Sequence, residues 1–550
     1  MLRKILLAGL LICLFVNLRA QSFQNPILSG FYPDPSICRA GDDYYIVASS
    51  FAYYPGLPLF HSKDLLNWEQ IGYAMDRPEQ LNLDGAGVSR GLFAPAITYN
   101  NGTFYIVCTE VSKLGNFVIT AKDPRGPWSD PVSLPQVNGI DPSLYFDDNG
   151  KSYIVFNSIP PNNVSQHDGH RTIRMFEFDA ANLKVTDEEK LLVNGGTDMA
   201  KKPVWIEAPH IIKKDGWYYL ICAEGGTGYN HSEVVFRSKS PEGPFVSHEK
   251  NPILTQRQLD PNRPNPITTA GHADFVEDKD GKWWGIFLAC RPYEGDYYNT
   301  GRETFMAPVV WKDGWPEFDL GGDEIKYSYP INAVRDKTKE PFNGNYLFRD
   351  NFNSNKLNVR YRFLRTVREN WFDLTSNREA LTLKLRPATA AGRENPSFIG
   401  FHQSHLKGYA ATALRFTPAS DNEKAGLLLF QNERVHYNLC RTTIDKKPVI
   451  ALYFKDSLVK SIPVKASDKD VRFKIEANND KYSFYYGLGK KGNWQLVQGN
   501  VDAKPLSTKA AGGFVGCLYA MYATSDGKPS DNTAIFDWFE VKSDDDLFRK

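Results

Sequence analysis

Residues 34–47 read Asp34-Pro-Ser-Ile-Cys-Arg-Ala-Gly-Asp-Asp-Tyr-Tyr-Ile-Val47, and the fold prediction rests on the pattern in this stretch. An opening residue is followed by an apolar residue three positions on, a glycine turn and an aromatic strand. Four later segments follow the same plan and open at Ala94, Asp141, Ala208 and His272. The glycine comes 7, 8, 9, 8 and 9 residues after the opening residue. Polar, glycine-containing gaps of this kind between β-prone runs predict β-hairpins.

The spacing of the five segments predicts how the hairpins assemble. Successive openings are 60, 47, 67 and 64 residues apart, which is enough for a four-stranded sheet and its loops. Repeats of this kind indicate a solenoid, an array or a propeller, and five antiparallel units close most simply as a five-bladed β-propeller. We assign residues 21–320 to this propeller. A β-sandwich with accidental similarity is the alternative, and five matches in order disfavour it.

The pattern stops after Phe318, and a different β domain is predicted beyond it. Residues 321–341 are polar and contain glycine and proline, which indicates a linker. Residues 342–550 return to short alternating strands without the blade pattern, as in Ala534-Ile-Phe-Asp-Trp-Phe-Glu-Val541. This predicts a β-sandwich of the concanavalin or laminin-G type. The predicted fold class is therefore all-β, a five-bladed propeller followed by a C-terminal β-sandwich.

The first 20 residues predict a cleaved export signal. Arg3 and Lys4 form a charged start, an apolar run follows, and Ala20 offers a small residue at the end. The apolar run is too short to span a bilayer, and no later segment is apolar enough to do so. We expect an exported protein, periplasmic or secreted, without a membrane span.

Charge and cysteine usage exclude some partners and sites. The formal net charge is +1 and no basic stripe accumulates, which argues against a nucleic-acid partner. Six cysteines follow residue 20, an even number that invites a disulfide interpretation. Most of them lie singly inside apolar strand-like runs, where the role of a small buried hydrophobic residue is favoured. There is no Cys-x-x-Cys pair, so no thiolate metal site is predicted.

Three acidic residues lie at matching points of the repeat: Asp34, Asp141 and Glu207. In a closed ring, equivalent positions face one centre, so these carboxylates should converge although 107 and 66 residues separate them. Converging carboxylates indicate acid/base chemistry. Cleavage of a glycosidic bond with inversion needs a carboxylic acid at the leaving oxygen and a carboxylate that activates water, roughly 6.5–9.5 Å apart.

The position of Glu207 predicts different roles for the three acids. Asp34 and Asp141 directly precede a proline, whereas Glu207 lies one residue further upstream and follows Trp205 and Ile206. An apolar setting would raise the pKa of Glu207 and suit a general acid. Asp34 would then be the general base, and Asp141 would orient Glu207 and keep it protonated by repulsion. The alternative is structural, since Asp-Pro commonly opens turns and a lone Glu often caps a helix or faces solvent.

Four further residues are candidates for binding substrate. His272 opens the fifth segment, so it faces the pocket or is a core histidine. Arg302 is a surface charge or binds sugar hydroxyls or a carboxylate through its fork of donors. Phe51 and Phe93 belong to the core or offer aromatic faces to a sugar ring.

Several of these segments together resemble glycoside hydrolase family 43, the inverting arabinofuranosidases and xylosidases of hemicellulose breakdown. The resemblance covers nearly the whole chain and is that of the family's two-domain members. Its segments are Asn25-Pro-Ile-Leu-Ser-Gly-Phe-Tyr-Pro-Asp34-Pro-Ser36, Ser49-Ser-Phe51, His61-Ser-Lys-Asp64, Arg90-Gly-Leu-Phe93-Ala-Pro95, Ala270-Gly-His272 and Gly301-Arg302-Glu-Thr304.

The resemblance implies a role for each acid. Asp34 matches the family's general base, Asp141 its pKa-modulating and orienting aspartate, and Glu207 its general acid. In relatives, the sandwich packs against the propeller and narrows the pocket, which favours removal of one terminal sugar.

The resemblance also implies how the remaining residues contribute. Arg302 matches an arginine that binds the terminal sugar, and Phe51 and Phe93 match aromatic walls, although the family often has tryptophan where this chain has Phe93. His272 matches a histidine of the pocket floor, which in some relatives lies beside a bound calcium. No cofactor is expected to be required, and a structural calcium near His272 is the one metal that the resemblance allows.

The leading hypothesis is an exo-acting α-L-arabinofuranosidase that acts on an arabinose-capped polysaccharide or its fragments. A β-D-xylosidase acting on xylose-capped ends, or an enzyme with both activities, is the close alternative. A retaining fructan-type hydrolase would need an Asn-Asp-Pro-Asn type of start, which Tyr32-Pro-Asp34-Pro-Ser36 does not match. A non-catalytic sugar-binding propeller would be expected to lack one of the three acids. The parent polymer, whether arabinoxylan, arabinan or xyloglucan, stays open at this point.

Overall fold

A computed structural model describes residues 21–186 and 188–549 of the chain. The predicted export signal, residues 1–20, lies outside the described residues and stays a prediction. Within the described ranges, no helix has both the length and the apolar character needed to cross a membrane.

The N-terminal half contains five antiparallel sheets that follow one another along the chain. Each begins with an innermost strand that carries a repeat opening or directly follows it, and each adds strands outward by hairpins. The strands of the five blades are Ser36–Ala40, Asp43–Val47, Gly56–Ser62 and Glu69–Met75; Leu92–Asn100, Thr103–Glu110, Gly115–Ala121 and Val132–Ser133; Ile140–Phe146, Ser152–Ser158, Thr172–Asp179, Lys184–Val185 and Lys190–Asn194; Glu207–Lys214, Trp217–Glu224, Ser232–Ser238, Val246–Ser247 and Leu254–Thr255; and Thr268–Glu277, Trp283–Cys290, Glu303–Lys312 and Trp315–Phe318.

The five blades close into a ring. Each innermost strand contacts the innermost strands of two neighbouring blades, and that of blade 5 contacts that of blade 1. The chain segments before and after the five blades are also joined. Gln21–Gln24 pairs antiparallel with Ser328–Ile331, a strand within the predicted linker. Alternating apolar residues fill the spaces between blades and form the propeller's buried core. The predicted five-bladed propeller is confirmed.

The C-terminal half is a β-sandwich, also as predicted. One sheet contains Leu347–Asp350, Phe372–Asp373, Leu381–Lys384, Lys407–Arg415, Asp470–Asn478, Lys481–Leu488, Gln495–Asp502 and Thr533–Ser543. The other contains Ser397–His402, Lys424–Asn432, Val435–Ile444, Lys447–Phe454, Ser457–Pro463 and Leu518–Thr524. Among residues 21–186 and 188–549, helical structure is confined to the turns Pro161–Asn163, Met199–Lys201, Lys504–Leu506, Thr508–Ala511 and Asp546–Phe548. The six cysteines after residue 20 are buried and unpaired.

The two domains share an extensive contact. The strand Tyr53–Tyr54 of the propeller pairs with Phe363–Leu364 of the sandwich, and apolar residues of both domains form one cluster. A buried ion pair crosses the same boundary. Arg291 is 2% exposed, donates from Nε and Nη2 to the two carboxylate oxygens of Glu303 at 2.7 and 2.9 Å, and donates from Nη1 to Asp545 at 2.9 Å.

We expect Arg291→Met to destabilise the fold by about 3–5 kcal/mol, because it leaves the buried carboxylates of Glu303 and Asp545 without their cation. Urea denaturation followed by tryptophan fluorescence measures the effect. Arg368→Ala is the matched control, since Arg368 also bridges the domains, to Asp84 at 3.0 Å, but both side chains are largely exposed. It should cost at most about 1 kcal/mol. Equal losses in the two variants would show that the buried ion pair has no special role.

Candidate active site

The five opening residues of the repeat share one unusual backbone conformation. Asp34, Ala94, Asp141, Ala208 and His272 have φ values of 52°, 33°, 55°, 51° and 57°. In blades 2 to 5 the pairing of the innermost strand shifts register at this point. Bulges of this kind re-aim side chains. The openings therefore bend the heads of the inner strands in the same way and direct their side chains to one centre.

Asp34 is held as an ionised carboxylate at this centre. Its Oδ1 accepts from Nη1 of Arg302 at 2.6 Å, and its Oδ2 accepts from the hydroxyl of Ser49 at 2.7 Å. Burial by itself raises the pKa of Asp34, but Arg302, the nearby His272 and the Ser49 hydrogen bond outweigh burial, so this pKa lies below its usual value. Asp34 therefore fits a base that must be ionised before it acts.

Glu207 has the opposite electrostatic setting. It lies one residue before the left-handed Ala208 and after the fully buried Ile206. Burial and the negative charge of Asp34 raise the pKa of Glu207 to about 7, while Arg302 and Arg171 act in the lowering direction. A carboxyl with this pKa carries a proton in a large fraction of molecules near neutral pH, as a general acid requires.

Asp141 shares its environment with Glu207. Its Oδ2 accepts from the backbone N–H of Ala208 at 3.2 Å. Burial, the charge of Glu207 and the charge of Asp34 raise the pKa of Asp141 well above its usual value. Asp141 and Glu207 therefore retain a proton between them to a higher pH than isolated carboxyls would. That Glu207 holds this proton in the reactive state stays a prediction.

His272 completes the floor of the site as a neutral imidazole. Its Nδ1 lies 3.9 Å from Oδ1 of Asp34, and burial lowers the pKa of His272 to about 3. One ligand atom each from Asp141, Glu207 and His272 lie within 4.8 Å of one another. Calcium takes six to eight oxygen ligands, so two carboxyl oxygens with raised pKa and one imidazole nitrogen fit it poorly. The described residues near His272 do not by themselves build a calcium cage.

Arg302 contacts Asp34 through both terminal nitrogens of its guanidinium. Nη1 donates to Asp34 and to the hydroxyl of Thr227 at 2.9 Å, and Nη2 reaches Oδ2 of Asp34 at 3.4 Å. Its Nε is buried without a partner. The guanidinium carbon lies 5.8 Å from the ring centre of Phe51 and 5.7 Å from that of Phe514. The sequence predicted that Arg302 binds sugar hydroxyls or a carboxylate. The carboxylate that it contacts in the structure is that of Asp34.

Three phenylalanines form an aromatic wall beside Arg302. Phe51 and Phe93 lie with ring centres 4.8 Å apart, and Phe514 of the sandwich lies 5.9 Å from Phe51 and 5.7 Å from Phe93. The backbone of Phe51 pairs with that of Leu92. A Cβ at Gly91, whose φ is 96°, would lie 2.4 Å from the carbonyl oxygen of Phe51, so only glycine permits this approach.

Close backbone contact brings Phe514 to the propeller. A Cβ at Gly301 would lie 2.9 Å from the Gly516 backbone, and the N–H of Cys517 donates to the carbonyl of Asn299 at 2.8 Å. The N–H of Phe514 donates to the hydroxyl of Ser89 at 3.0 Å. The sandwich therefore covers the side of the site formed by blades 1, 2 and 5.

The structure thus brings together all seven residues that the sequence singled out: Asp34, Phe51, Phe93, Asp141, Glu207, His272 and Arg302. It adds Ser49, Arg171, Thr227 and Phe514, to which the sequence assigned no role. Ser49 lies in a segment that carried the family resemblance, which was a usable signal. Thr227 and Phe514 lie in glycine-rich loops without the repeat pattern, and only the folded chain reveals their position.

Comparison with known proteins agrees with this geometry. Residues 23–316 match Glycosyl hydrolases family 43, and residues 349–542 match the Beta xylosidase C-terminal Concanavalin A-like domain. The chain is 41% identical to a Xylosidase/arabinosidase of Butyrivibrio fibrisolvens, over 94% of this chain and 99% of that protein. It is 37% identical to the Non-reducing end alpha-L-arabinofuranosidase BoGH43B of Bacteroides ovatus, over 96% of each chain.

A solved structure shows the same two-domain architecture. A GH43_12 protein retrieved from capybara gut metagenome superposes with a TM-score of 0.85 and 41% identity, over 92% of this chain and 96% of that one. The resemblance seen in the sequence is therefore confirmed, and the chain is an exo-acting glycoside hydrolase that belongs to glycosyl hydrolase family 43.

Proposed function

We propose that the enzyme removes terminal α-L-arabinofuranosyl residues from plant hemicellulose or its oligosaccharides, with inversion at the anomeric carbon. The observation that carries the proposal is the opposed setting of two buried carboxyls around one centre. Arg302 and Ser49 hold Asp34 ionised, whereas burial and the charge of Asp34 keep Glu207 protonated to about pH 7. Inverting hydrolysis needs one carboxyl in each of these states.

The geometry supports the following division of labour. Asp34 takes a proton from a water molecule as the oxygen of that water bonds to the anomeric carbon. Glu207 gives its proton to the glycosidic oxygen as the bond between this oxygen and the anomeric carbon breaks. Asp141 accepts a hydrogen bond from the N–H of Ala208 and shares a proton with Glu207; when Asp141 is ionised, repulsion between the two carboxyls favours the protonated state of Glu207. Turnover leaves Asp34 protonated and Glu207 ionised, and exchange with solvent resets both.

The enclosure of the site supports removal of one terminal sugar. Phe514 and the strands behind it close the side next to Phe51, Phe93 and Arg302, so a polymer does not pass through on that side. Aromatic faces suit the apolar face of a sugar ring. Arabinose is favoured over xylose because both relatives reported above have arabinosidase or arabinofuranosidase in their names.

A β-D-xylosidase activity is the second candidate, since one of these relatives is named for both sugars. Purified protein assayed on 4-nitrophenyl α-L-arabinofuranoside and 4-nitrophenyl β-D-xylopyranoside tests the choice. We expect the higher kcat/KM on the arabinofuranoside. A clear preference for the xyloside would overturn the arabinose assignment and leave the acid/base roles in place.

The proposal also includes export of the chain and hydrolysis without a cofactor. Mass spectrometry of protein recovered from the producing cells should give a mature chain that begins at Gln21. Dialysis against a chelator should leave kcat unchanged. A retained N-terminus, or a loss of activity that calcium restores, would contradict the respective part.

The electrostatics of the site predict a bell-shaped pH profile of kcat/KM. Activity should fall as pH rises through about 7, because Glu207 loses its proton there, and it should fall in acid as Asp34 becomes protonated below its usual pKa. Ser49→Ala removes a hydrogen bond that lowers the pKa of Asp34, so the acid limb should move to higher pH. The basic limb should stay in place, and movement of that limb alone would contradict the assignment.

A further inference from the structure

The loop between the second and third strands of blade 3 reaches the active site but takes no part in the proposed proton transfers. In each blade, the loop between the second and third strands lies at the same end as the head of the inner strand. Three of these loops supply Phe51, Thr227 and Arg302. The fourth, residues 159–171 of blade 3, ends at Arg171, and the loop of blade 2 is only residues 111–114.

Arg171 lies near Glu207, at the end of the blade 3 loop. Burial lowers the pKa of Arg171, and the charge of Glu207 acts in the raising direction. By contrast, Arg302 interacts with Asp34, Asp141 and Glu207. Arg171 lies on the Glu207 side of the site, because it packs on Trp205, two residues before Glu207, whereas Arg302 donates to Asp34.

Arg171 forms a unit with Trp205. Its guanidinium carbon lies 3.9 Å from the centre of the Trp205 ring. Both side chains are partly exposed, and among the described residues neither side chain makes a hydrogen bond. Two loops fix the backbone here: Trp205 N–H donates to the carbonyl of Gly169 at 2.8 Å, and the carbonyl of Val204 accepts from Gly225 N–H at 2.7 Å.

We propose that Trp205 and Arg171 form the subsite for the leaving-group sugar, which is the backbone sugar to which the terminal pentose is attached. The inference rests on the proposed function. A general acid donates to the oxygen of the leaving group, so partly exposed residues that adjoin Glu207, as Trp205 and Arg171 do, are placed to meet that group. The sandwich covers blades 1, 2 and 5, which leaves blades 3 and 4, the blades of Arg171 and Trp205, for the rest of the substrate. The indole offers an apolar face and edge, and the guanidinium offers free donors to sugar hydroxyls.

The test compares a ligand that reaches this subsite with one that does not. The first is a xylo-oligosaccharide that carries one terminal α-L-arabinofuranosyl group, and the second is free L-arabinose as a competitive inhibitor. Trp205→Ala should lower kcat/KM on the oligosaccharide by about 10- to 100-fold, as expected when an aromatic anchor is truncated. Arg171→Gln should lower it by about tenfold. The inhibition constant of arabinose should change by less than about twofold in both.

Two further variants control the comparison. Trp205→Phe keeps an aromatic face and should retain most of the oligosaccharide activity. If Trp205→Ala does not fold, Trp205→Phe and Arg171→Gln still test the subsite. Trp217→Ala removes a tryptophan that Lys239 covers at 3.6 Å at the far end of blade 4, and should leave both readouts unchanged.

A variant that loses kcat/KM on the oligosaccharide and affinity for arabinose to the same extent, or loses neither, would overturn the subsite. The proposed function would still stand in that case, because the wild-type enzyme turns over the substrate. A wild-type enzyme that cleaves no pentose-capped oligosaccharide or aryl pentoside would overturn both.

Discussion

Asp34→Asn is expected to lower kcat by about 10²–10⁴-fold, because the amide cannot take a proton from the attacking water. The substitution keeps the size of the side chain: the amide oxygen can still accept from Arg302, and the amide nitrogen can donate to the hydroxyl of Ser49. It removes a charge that raises the pKa of Glu207. The basic limb of the pH profile of any remaining activity should therefore move to lower pH. Steady-state kinetics on the aryl arabinofuranoside measure both effects.

Asp147→Asn is the matched control for this experiment. Asp147 is also a buried aspartate of the propeller, and it accepts from Nζ of Lys213 at 2.7 Å and from the hydroxyl of Tyr218 at 2.9 Å. It lies outside the site, so its loss should leave kcat within about twofold of wild type. A comparable kcat in wild type and Asp34→Asn would exclude Asp34 as the base.

Glu207→Gln is expected to cost as much on natural substrates, about 10²–10⁴-fold, because glutamine has no proton to give to the leaving oxygen. The loss should shrink strongly on a 2,4-dinitrophenyl glycoside, whose leaving group departs as a stable anion and needs little protonation. The basic limb of the pH profile should also disappear, since the group with the pKa of about 7 is gone.

The ratio of the two losses is the informative quantity for Glu207. A change that distorts the site would impair both substrates alike, whereas removal of a general acid impairs the substrate with the poor leaving group. Equal losses on oligosaccharide and dinitrophenyl glycoside would contradict the role of Glu207 as proton donor. Retention of the basic limb would contradict it as well.

The sequence predicted the propeller because each blade repeats one local pattern. The opening residue, the glycine turn and the aromatic strand recur at short range, and a ring converts equivalent positions into neighbours. The same logic located Asp34, Asp141 and His272, whose left-handed φ values are now seen to be a common feature of the openings. The offset of Glu207 was visible as well, because it precedes the opening Ala208 instead of occupying it.

The remaining parts of the site depend on contacts that no local pattern encodes. Phe514 reaches the site because Gly301 and Gly516 allow two backbones from different domains to touch. Thr227 and Arg171 come from loops between the second and third strands, whose lengths differ from blade to blade. Local sequence carries no information on which of these loops bend over the centre.

Proton NMR of the first-formed sugar tests the assigned mechanism most directly. With 4-nitrophenyl α-L-arabinofuranoside in deuterated buffer, inversion predicts that β-L-arabinofuranose appears first and that the α anomer grows in later by mutarotation. Initial formation of the α anomer would show retention, with a covalent intermediate and carboxyls only about 5–5.5 Å apart. That result would contradict the assignment of Asp34 as a base that activates water.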